Sequence, residues 1–423
     1  MYQRSTASRL EVLLDRAVDR RLVTVTAATG WGKTHLAARW AESTGGALLV
    51  LPNGRVDPTT PVVAITGDTR RTGSLEELLA LDALCVVIDD AHRLSPSAQD
   101  LVDQTIAMDM RPVLLTSRTP LPSFAERHWA LELGAQHLRL NSRDIAEAAR
   151  TELGDDSLEA RILSATHGWP AAVRILLDAL YDEPSAGRAA AIQELVRPHG
   201  RLGRFYEQVV AQQAPEARRA LTMLSLQSPM TSEQLSALQP SDASQVEAMV
   251  LTGLATRAPE QSTVELAPGL DDILRRPDLM DTSANRALVE DIARSQMARG
   301  EIAQAVATLS TGSHQQQLST ILAAHGDHLV RSGELTTVVA AVDSLSEEHR
   351  DPTIRRVQAH ALTHLGQWSE ALHCLEQLGV GEHGPLPAAQ ALVVGNIHHF
   401  RGEAELAAAS YARAIPADDP DWA

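Results

Sequence analysis

The residues best suited to chemistry surround the single lysine of the chain, Lys33, which stands beside 36 arginines. It lies in the stretch AATGWGKT, residues 27–34, between the β-branched run VTVT and the helix-like run HLAARW. The spacing matches GxxxxGK[ST], with Ala27 in place of the first glycine. Glycines allow backbone N–H groups to converge on phosphate oxygens, and a helix N-terminus beneath them favours negative charge. The stretch therefore predicts a site for the phosphates of a nucleotide.

The side chains of this stretch have separate predicted roles. Lys33 places a compact ammonium near the β- and γ-phosphates, which the planar guanidinium of arginine does not do in the same space. The hydroxyl of Thr34 is a ligand for Mg²⁺. A strand-to-helix turn with a chance lysine is the alternative, and the placement of the only lysine argues against it. The residues predicted to bind the cofactor, ATP or ADP with Mg²⁺, are Thr29, Gly30, Trp31, Gly32, Lys33, Thr34 and His35.

A pair of carboxylates follows the apolar run LCVVI of residues 84–88. Such a run is typical of a strand buried on both faces, and ligands bind at the carboxyl ends of parallel strands. Asp89 is therefore predicted to belong to the metal site and to orient Mg²⁺ together with Thr34. Asp90 is predicted to be catalytic by polarising an attacking water. Its alternative role is to cap the helix that begins near His92.

A further strand, RPVLLTSR of residues 111–118, ends in Thr116, Ser117 and Arg118. An arginine at the mouth of a strand beside a phosphate site can sense the γ-phosphate or stabilise developing charge. Arg118 is therefore predicted to bind the nucleotide and to form the catalytic set with Lys33 and Asp90. A salt bridge from Arg118 to an acidic neighbour is the alternative.

Composition narrows the classes of function. The formal net charge is −17, and residues 1–140 carry almost none of it, with 15 basic and 16 acidic side chains. No Lys/Arg stripe is present, and 13 aromatic residues are too few for a base-stacking surface, so we expect no nucleic-acid binding. No apolar run approaches the roughly 18 residues that span a bilayer, and the N-terminus lacks the apolar core of a signal peptide. Two cysteines do not make a disulfide framework, so we expect a cytoplasmic protein without membrane association.

Glycine recurs in the last third of the chain, at positions 300, 333, 366 and 402. A small residue follows five positions after each glycine, namely Ala305, Val338, Ala371 and Ala407. This pattern favours closely packed helix pairs, and its spacing is near the roughly 34 residues of tetratricopeptide repeats. Such repeats form concave surfaces, so we expect them to bind an effector or a protein partner. A helical bundle with coincident glycines is the alternative.

The order of these motifs resembles the STAND class of signalling ATPases, and within it the MalT-like, ATP-binding LuxR regulators. The resemblance rests on SRLEVLLDRAVDRRLVTVTAATGWGKTHLAARW from residue 8, on the paired aspartates, on TSR at 116–118 and on THGWP at 166–170. It implies that Pro170 lies against the adenine or ribose side of the nucleotide. The family has a histidine that reads the bound diphosphate where this chain has Ala267. We expect no helix-turn-helix DNA reader within these residues.

The fold class that follows is multidomain, α/β followed by α. Residues 1–140 are predicted to form a P-loop NTPase core with a parallel sheet, 141–200 a helical arm, 201–280 a winged-helix-like domain and 281–423 tetratricopeptide-like helical repeats. The resemblance implies a switch in which slow hydrolysis alternates a closed ADP form with a self-associating ATP form of a transcriptional regulator. The alternatives are a catalytic P-loop NTPase, such as a remodelling motor or a kinase, and a repeat scaffold with a vestigial nucleotide site.

Overall fold

The structure is a computed structural model. It describes residues 21–108, 111–121, 124, 130–197, 199–236, 238–258, 263–267, 269–378 and 386–415. Two compact units divide the chain, Met1–Leu274 and Arg275–Ala423. Residues 8–20, which open the stretch that resembles the LuxR regulators, lie outside the described residues. The finer division into four domains stays a prediction.

A seven-stranded sheet forms the centre of the first unit, with its strands in the spatial order β4-β3-β2-β5-β6-β1-β7. The pairs β1–β6, β1–β7, β2–β5 and β5–β6 are all parallel. The predicted α/β core with parallel strands is therefore confirmed for this part of the sheet. The strand bounds are β1 Leu22–Thr26, β2 Ala47–Val50, β3 Pro61–Thr66, β4 Thr69–Ser74, β5 Val86–Asp89, β6 Val113–Ser117 and β7 Leu131–Gly134.

The two strands at one edge of the sheet, β3 and β4, run antiparallel. The prediction of a parallel sheet did not include them. Their direction follows from the link between them, because Gly67 and Asp68 make a two-residue connection that joins only antiparallel neighbours. The edge hairpin lies far in the strand order from β1, so the carboxyl ends of the parallel strands still meet at one side of the sheet.

The central strands β1, β5 and β6 are buried along their whole length. Burial of consecutive residues means that both faces of these strands are covered, which is why they read as continuous apolar runs. Leu22, Ile88 and Leu115 belong to the same hydrophobic cluster. Leu84 was expected in the apolar strand before the aspartates, but it is 74% exposed and β5 begins two residues later.

Helices and one hairpin make up the rest of the first unit. Three helices that pack with the sheet strands are α1 Lys33–Thr44, α2 Leu75–Leu79 and α3 Pro96–Met108. The helices that follow β7 are α4 Ala135–Leu138, α5 Ser142–Leu153, α6 Glu159–Thr166, α7 Pro170–Leu180, α8 Arg188–Val196, α9 Arg201–Ala211, α10 Pro215–Gln227, α11 Ser232–Ser236, α12 Pro240–Thr252 and α13 Leu270–Leu274. An antiparallel hairpin of β8 Ala255–Ala258 and β9 Thr263–Leu266 follows α12. Helices followed by such a hairpin are compatible with a winged helix, and that assignment stays a prediction.

The second unit consists mainly of helix pairs. Its helices are α14 Pro277–Met280, α15 Ser283–Ala298, α16 Ile302–Leu309, α17 Gln315–Arg331, α18 Leu335–Ser344, α19 Pro352–His364, α20 Trp368–Gln377, α21 Ala388–Phe400 and α22 Ala404–Ala412. Two short strands, β10 Leu386–Pro387 and β11 Ala414–Ile415, pair in parallel. Within the described residues, no helix combines the length and the apolar character that crossing a membrane requires.

The predicted glycines stand at equivalent turns of four helix pairs, α15–α16, α17–α18, α19–α20 and α21–α22. Gly300, Gly333, Gly366 and Gly402 have φ of 79°, 89°, 76° and 78°. A Cβ at any of them would meet open space, so the left-handed backbone rather than crowding selects glycine. The small residue five positions later is buried in every pair. The predicted tetratricopeptide-like helical repeats are therefore confirmed as a fold.

Candidate nucleotide-binding site

The loop between β1 and α1, residues 27–32, is held at its start by backbone hydrogen bonds. Ala27 N donates to Ser117 O at 3.1 Å, and Ala28 N donates to Thr252 O at 2.8 Å. The first bond comes from the end of the neighbouring strand β6, and the second comes from the end of α12. Ala27 does not have a positive φ, so its substitution for the first glycine causes no backbone strain.

Two glycines shape the rest of the loop. Gly30 and Gly32 have φ of 84° and 82°, in the left-handed region that glycine adopts at little cost. The chain then enters α1, and Leu36 N donates to Gly32 O at 3.0 Å. The N–H groups of the first helical turn lack partners within the helix and carry the positive end of its dipole. This arrangement favours an anion above the loop.

Lys33 is buried, with 6% of its surface exposed. Its Nζ donates to Ala27 O at 2.7 Å and to Ala28 O at 2.9 Å, so the side chain arches back over the loop. Burial lowers the pKa of Lys33 to about 8; the negative charge of Asp90 opposes this shift and the positive charge of Arg118 adds to it. A phosphate bound beside this ammonium would supply a negative charge and so offset the cost of burying the charged form of Lys33.

Thr34 and Asp89 lie together, as predicted for a magnesium site. Thr34 Oγ1 donates to Asp89 Oδ2 at 2.8 Å, and Thr116 Oγ1 donates to Asp89 Oδ1. These oxygen groups are the hard donors that Mg²⁺ prefers, and an ion of this kind usually keeps several waters and phosphate oxygens as its other ligands. The donor set therefore fits Mg²⁺, with Thr34 and Asp89 as the residues that would hold it.

Asp90 adopts a left-handed backbone, with φ 59° and ψ 40°. Its backbone N donates to Thr116 Oγ1 at 3.0 Å, so the same threonine binds both aspartates. Asp90 precedes a short 3₁₀ turn, Ala91–Arg93, but its side chain makes no capping hydrogen bond. Instead the carboxylate lies 2.8 Å from Arg93 Nη2 and 3.5 Å from Arg118 Nη2. Asp90 is therefore an ion-pair partner here, rather than the capping side chain that the sequence also allowed.

Arg118 reaches the same cluster from the end of β6. Its backbone N donates to His92 Nδ1 at 3.5 Å, and its guanidinium pairs with Asp90. Burial lowers the pKa of His92, with the charge of Asp90 opposing the shift and those of Arg118 and Arg93 adding to it. The salt bridge to an acidic neighbour that the sequence allowed for Arg118 is present. It also places the guanidinium near the carboxyl end of β6, where Arg118 was predicted to bind the nucleotide.

Trp31 was predicted to contact the cofactor, but its side chain is covered by protein. It is 2% exposed and stacks on Trp169 with ring centroids 5.1 Å apart and an interplanar angle of 20°. A Cβ on Gly253 would lie 2.6 Å from Trp31 Cζ2, so glycine at 253 makes room for the indole. The position of the ring leaves the backbone of Trp31 as the part suited to a phosphate contact.

Four aromatic side chains, Trp31, Trp169, Phe205 and Tyr206, form an aromatic cluster beside the loop. Trp169 lies 5.4 Å from Phe205 and 5.7 Å from Tyr206 between ring centroids. Both Trp169 and Tyr206 are fully buried, and burial raises the pKa of the Tyr206 phenol above its usual value. The cluster therefore connects the phosphate loop, the predicted arm of residues 141–200 and α9 through apolar ring contacts.

The arm also bonds the loop directly. Trp169 Nε1 donates to Thr29 O at 3.2 Å, and Ala171 N donates to Gly30 O at 3.0 Å. Pro170 is the first residue of α7, where its fixed φ suits the start of a helix and its missing N–H costs nothing. The predicted GWP motif thus lies against the loop. A contact of Pro170 with the nucleoside stays a prediction.

The two remaining predicted residues lie at the rim. Thr29 Oγ1 donates to Gln212 Oε1 at 2.8 Å, which adds another bond between the loop and the end of α9. His35 is exposed in the first turn of α1, and burial together with the charge of Arg39 lowers its pKa. The lowered pKa favours the neutral form of the His35 imidazole.

Several residues of the site were not predicted. Thr116 had a signal, because it belonged to the polar triplet at the end of β6, but only Arg118 of that triplet was assigned a role. No sequence signal pointed to Phe205, Gln212 or Thr252, because they lie far from the loop in the chain and reach it only through folding. Ala267, where the family has histidine, is buried and donates its N–H to Leu254 O at 2.9 Å.

Comparison with known proteins gave structural neighbours only. No family model matches the chain, and no curated protein matches its sequence. A Walker-type ATPase of Pyrococcus abyssi is 11% identical with a TM-score of 0.42, covering 64% of this chain and 95% of that one. A STAND protein with a tetratricopeptide repeat sensor from Pyrococcus horikoshii is 13% identical with a TM-score of 0.33; the match covers 95% of this chain but only 62% of that one. The RuvB Holliday junction branch migration motor of Thermotoga maritima is 16% identical with a TM-score of 0.33, covering 63% and 92%.

Likeness at these scores carries no argument about activity. The fold follows from the geometry above. A glycine loop joins the first strand to a helix that begins with Lys33 and Thr34, and the carboxylate of Asp89 lies within hydrogen-bond distance of that threonine. One strand, β6, separates the loop strand from the aspartate strand and contributes Thr116 to both aspartates. The described part of residues 21–140 therefore has the fold of a P-loop NTPase.

Proposed function

We propose that this chain is an ATP-dependent signalling switch, in which ATP with Mg²⁺ binds at loop 27–32 and slow hydrolysis resets the protein. The observation that carries the proposal is the set of bonds between this loop and two other segments. Trp169 binds Thr29 O from the arm, and Thr252 O binds Ala28 N from α12. A loop that moves when phosphates bind would change its contacts with both segments, which is the coupling that a switch requires.

The side chains support slow chemistry. Lys33 would neutralise phosphate charge, and Thr34 with Asp89 would hold the magnesium ion. A general base must reach the attacking water directly or through one other water. The carboxylate of Asp90 is bound by Arg93 at 2.8 Å and lies 3.5 Å from Arg118. Hydrolysis by Asp90 would require this ion pair to rearrange, and that requirement favours retention of the nucleotide over rapid turnover.

The finer proposal is that the repeats bind an effector or a protein partner, and that the ATP form self-associates in a cytoplasmic regulator of the LuxR type. It rests on the resemblance of the motifs and on the repeat surface. A cavity of about 620 Å³ in the second unit is lined by polar side chains that include Asp343, Gln358 and Gln377. A groove of this size with several hydrogen-bonding groups suits a small effector or a peptide.

The nucleotide that co-purifies with the chain tests the proposal. We expect ADP or ATP near one per chain after denaturation of the wild-type protein, and none in Lys33→Ala. The matched control is Glu42→Ala, an exposed position on the same helix, which should retain the nucleotide. Wild-type protein that neither carries nor binds ATP would overturn the proposal and leave a repeat scaffold.

A catalytic P-loop NTPase is the second candidate, because it would use the same lysine and the same pair of Thr34 and Asp89. Steady-state turnover separates the two. A switch should release phosphate from one bound ATP per chain and then retain ADP. Wild-type protein that purifies empty and hydrolyses ATP continuously would support the catalytic alternative.

A further inference from the structure

Two histidines lie one turn apart on α19, at His360 and His364. Residues four apart share one face of a helix, so their side chains meet. The Nε2 atoms of the two rings are 3.2 Å apart, and the ring centroids are 4.9 Å apart. His360 is half-buried and His364 is exposed, so the pair is open to solvent at one side.

Two imidazoles face each other through Nε2 only if at least one of these atoms presents a lone pair. One arrangement is an N–H···N hydrogen bond between opposite tautomers. The other has both lone pairs directed at a shared cation. Zinc–imidazole bonds of about 2.0–2.1 Å to two nitrogens 3.2 Å apart enclose an angle of about 100°, near the tetrahedral value of about 109°. The observed Nε2–Nε2 distance is therefore compatible with two ligands of one zinc ion.

Three charged side chains lie near the pair, one carboxylate and two guanidiniums, so their formal sum is +1. Asp327 accepts two hydrogen bonds from Arg356, at 2.8 and 2.6 Å, so both of its carboxylate oxygens are used. Arg331 lies on the same helix as Asp327 and influences His360 electrostatically, as Asp327 and Arg356 do. Phe400 lies 6.1 Å from His364 between ring centroids. Among the described residues, no group of three histidine, cysteine or carboxylate side chains is placed to hold a metal, so any ion here would have two protein ligands.

We propose that His360 and His364 together bind a divalent transition-metal ion of the zinc class through their Nε2 atoms, with solvent at the remaining positions. Imidazole suits zinc, copper and nickel, whereas magnesium and calcium prefer oxygen. The site is therefore selective against the ion expected at Thr34 and Asp89. Its two ligands belong to the second unit, and neither is part of the proposed nucleotide site.

Calorimetric titration of the full chain with Zn²⁺ tests the site, after chelator treatment and in excess Mg²⁺ to occupy the oxygen ligands. We expect one zinc equivalent that is lost in His360→Gln and in His364→Gln. Loss of outer-shell groups alone weakens metal binding by about 10–100-fold, so loss of one of two ligands should weaken it at least as much. The matched control is His373→Gln, which removes an exposed histidine that faces Gln377 at the same spacing on the next helix.

Imidazole NMR spectra distinguish binding at this pair from binding elsewhere. Zinc should shift the Nε2 resonances of His360 and His364 and leave the spectrum of His373 unchanged. Because His364 is exposed, its glutamine variant should keep the wild-type melting temperature, which separates loss of a ligand from loss of fold. Equal zinc binding by the wild type and both pair variants would overturn the proposal and leave the simple hydrogen bond between tautomers.

Discussion

The phosphate loop and the repeat turns both depend on left-handed glycines, yet the surroundings of the two differ. A Cβ on Gly30 would lie 2.7 Å from Ala171 Cβ and 3.0 Å from Phe205 Cζ, whereas a Cβ on Gly333 would meet nothing within 4 Å. At Gly30, backbone conformation and close packing both require glycine, whereas at Gly32 of the same loop conformation alone does. In the repeats, conformation alone does. The phosphate loop is one closely packed segment, whereas the glycine turn of the repeats occurs four times with open space around it.

The acidic and basic side chains show the same contrast. Lys33 and Asp89 are buried in the first unit, where each is bound by backbone or hydroxyl groups. In the second unit the ion pair of Glu347 with Arg350 is close to solvent, since Glu347 is 71% exposed. Buried polar groups that lose a partner cost more than exposed ones. Single changes should therefore be felt far more in the loop than in the repeats.

Removal of the central ring of the aromatic cluster should have the largest effect. Trp169→Ala deletes a fully buried indole and its contacts with Trp31 and Phe205, at an expected cost of about 3–5 kcal/mol in the free energy of unfolding. Denaturant titration measures this cost, and hydrogen exchange should show faster opening around residues 27–32 and 166–171. Phe400→Ala, at a ring that is 50% exposed in the repeats, is the control and should cost far less. Equal losses in the two variants would contradict the contrast.

A pair of glycine substitutions should separate conformation from crowding. Gly333→Ala forces a left-handed alanine into open space, at an expected cost of about 1–2 kcal/mol. Gly30→Ala adds a clash with Ala171 to the same conformational cost, so its loss in unfolding free energy should be clearly larger. Thermal unfolding of the two variants measures the difference. If Gly30→Ala lost no more unfolding free energy than Gly333→Ala, the packing around Gly30 would have to rearrange at little cost.

The pH dependence of nucleotide binding should show the smallest effect. Burial lowers the pKa of Lys33 to about 8, so the ammonium is present below pH 8 and is lost as pH rises above it. Bound phosphates favour the charged form, so nucleotide affinity should fall by up to about tenfold per pH unit above that range. A fluorescent nucleotide titrated between pH 7 and 9.5 measures the slope. Lys33→Met, which has no ammonium to lose, should bind the nucleotide more weakly and show no such fall, and a fall of equal size in both proteins would assign the titration to another group.

The same ionisation affects stability in the opposite sense. The pKa of Lys33 is lower in the folded protein than in the unfolded chain. The unfolded state therefore binds more protons between about pH 8 and 10.5. The contribution of this group to stability is therefore lowest below pH 8 and increases as pH rises through that window. A wild-type protein without nucleotide should gain stability there relative to Lys33→Met.

Much of the site could be predicted from local patterns. The loop motif placed Lys33 and Thr34, and the end of an apolar run placed Asp89, because ligands gather at the carboxyl ends of parallel strands. The structure brings these groups within hydrogen-bond distance. The antiparallel hairpin β3–β4 was not predicted, since its residues lack the continuous apolar runs of the central strands and half of it is exposed.

Local residue patterns are enough to predict the positions that have a local physical reason: glycines at left-handed turns, a lysine at a helix start, carboxylates at a strand end, and the helical period of the repeats. The remaining contacts form only when distant segments pack together. Trp31 reads as a ligand residue in the motif, but the fold buries it against Trp169, which is 138 positions away in the chain. Asp90 pairs with Arg118 because β5 and β6 are neighbours in the sheet. Contacts of this kind depend on which surfaces meet when the chain packs, and no short stretch of residues carries that information.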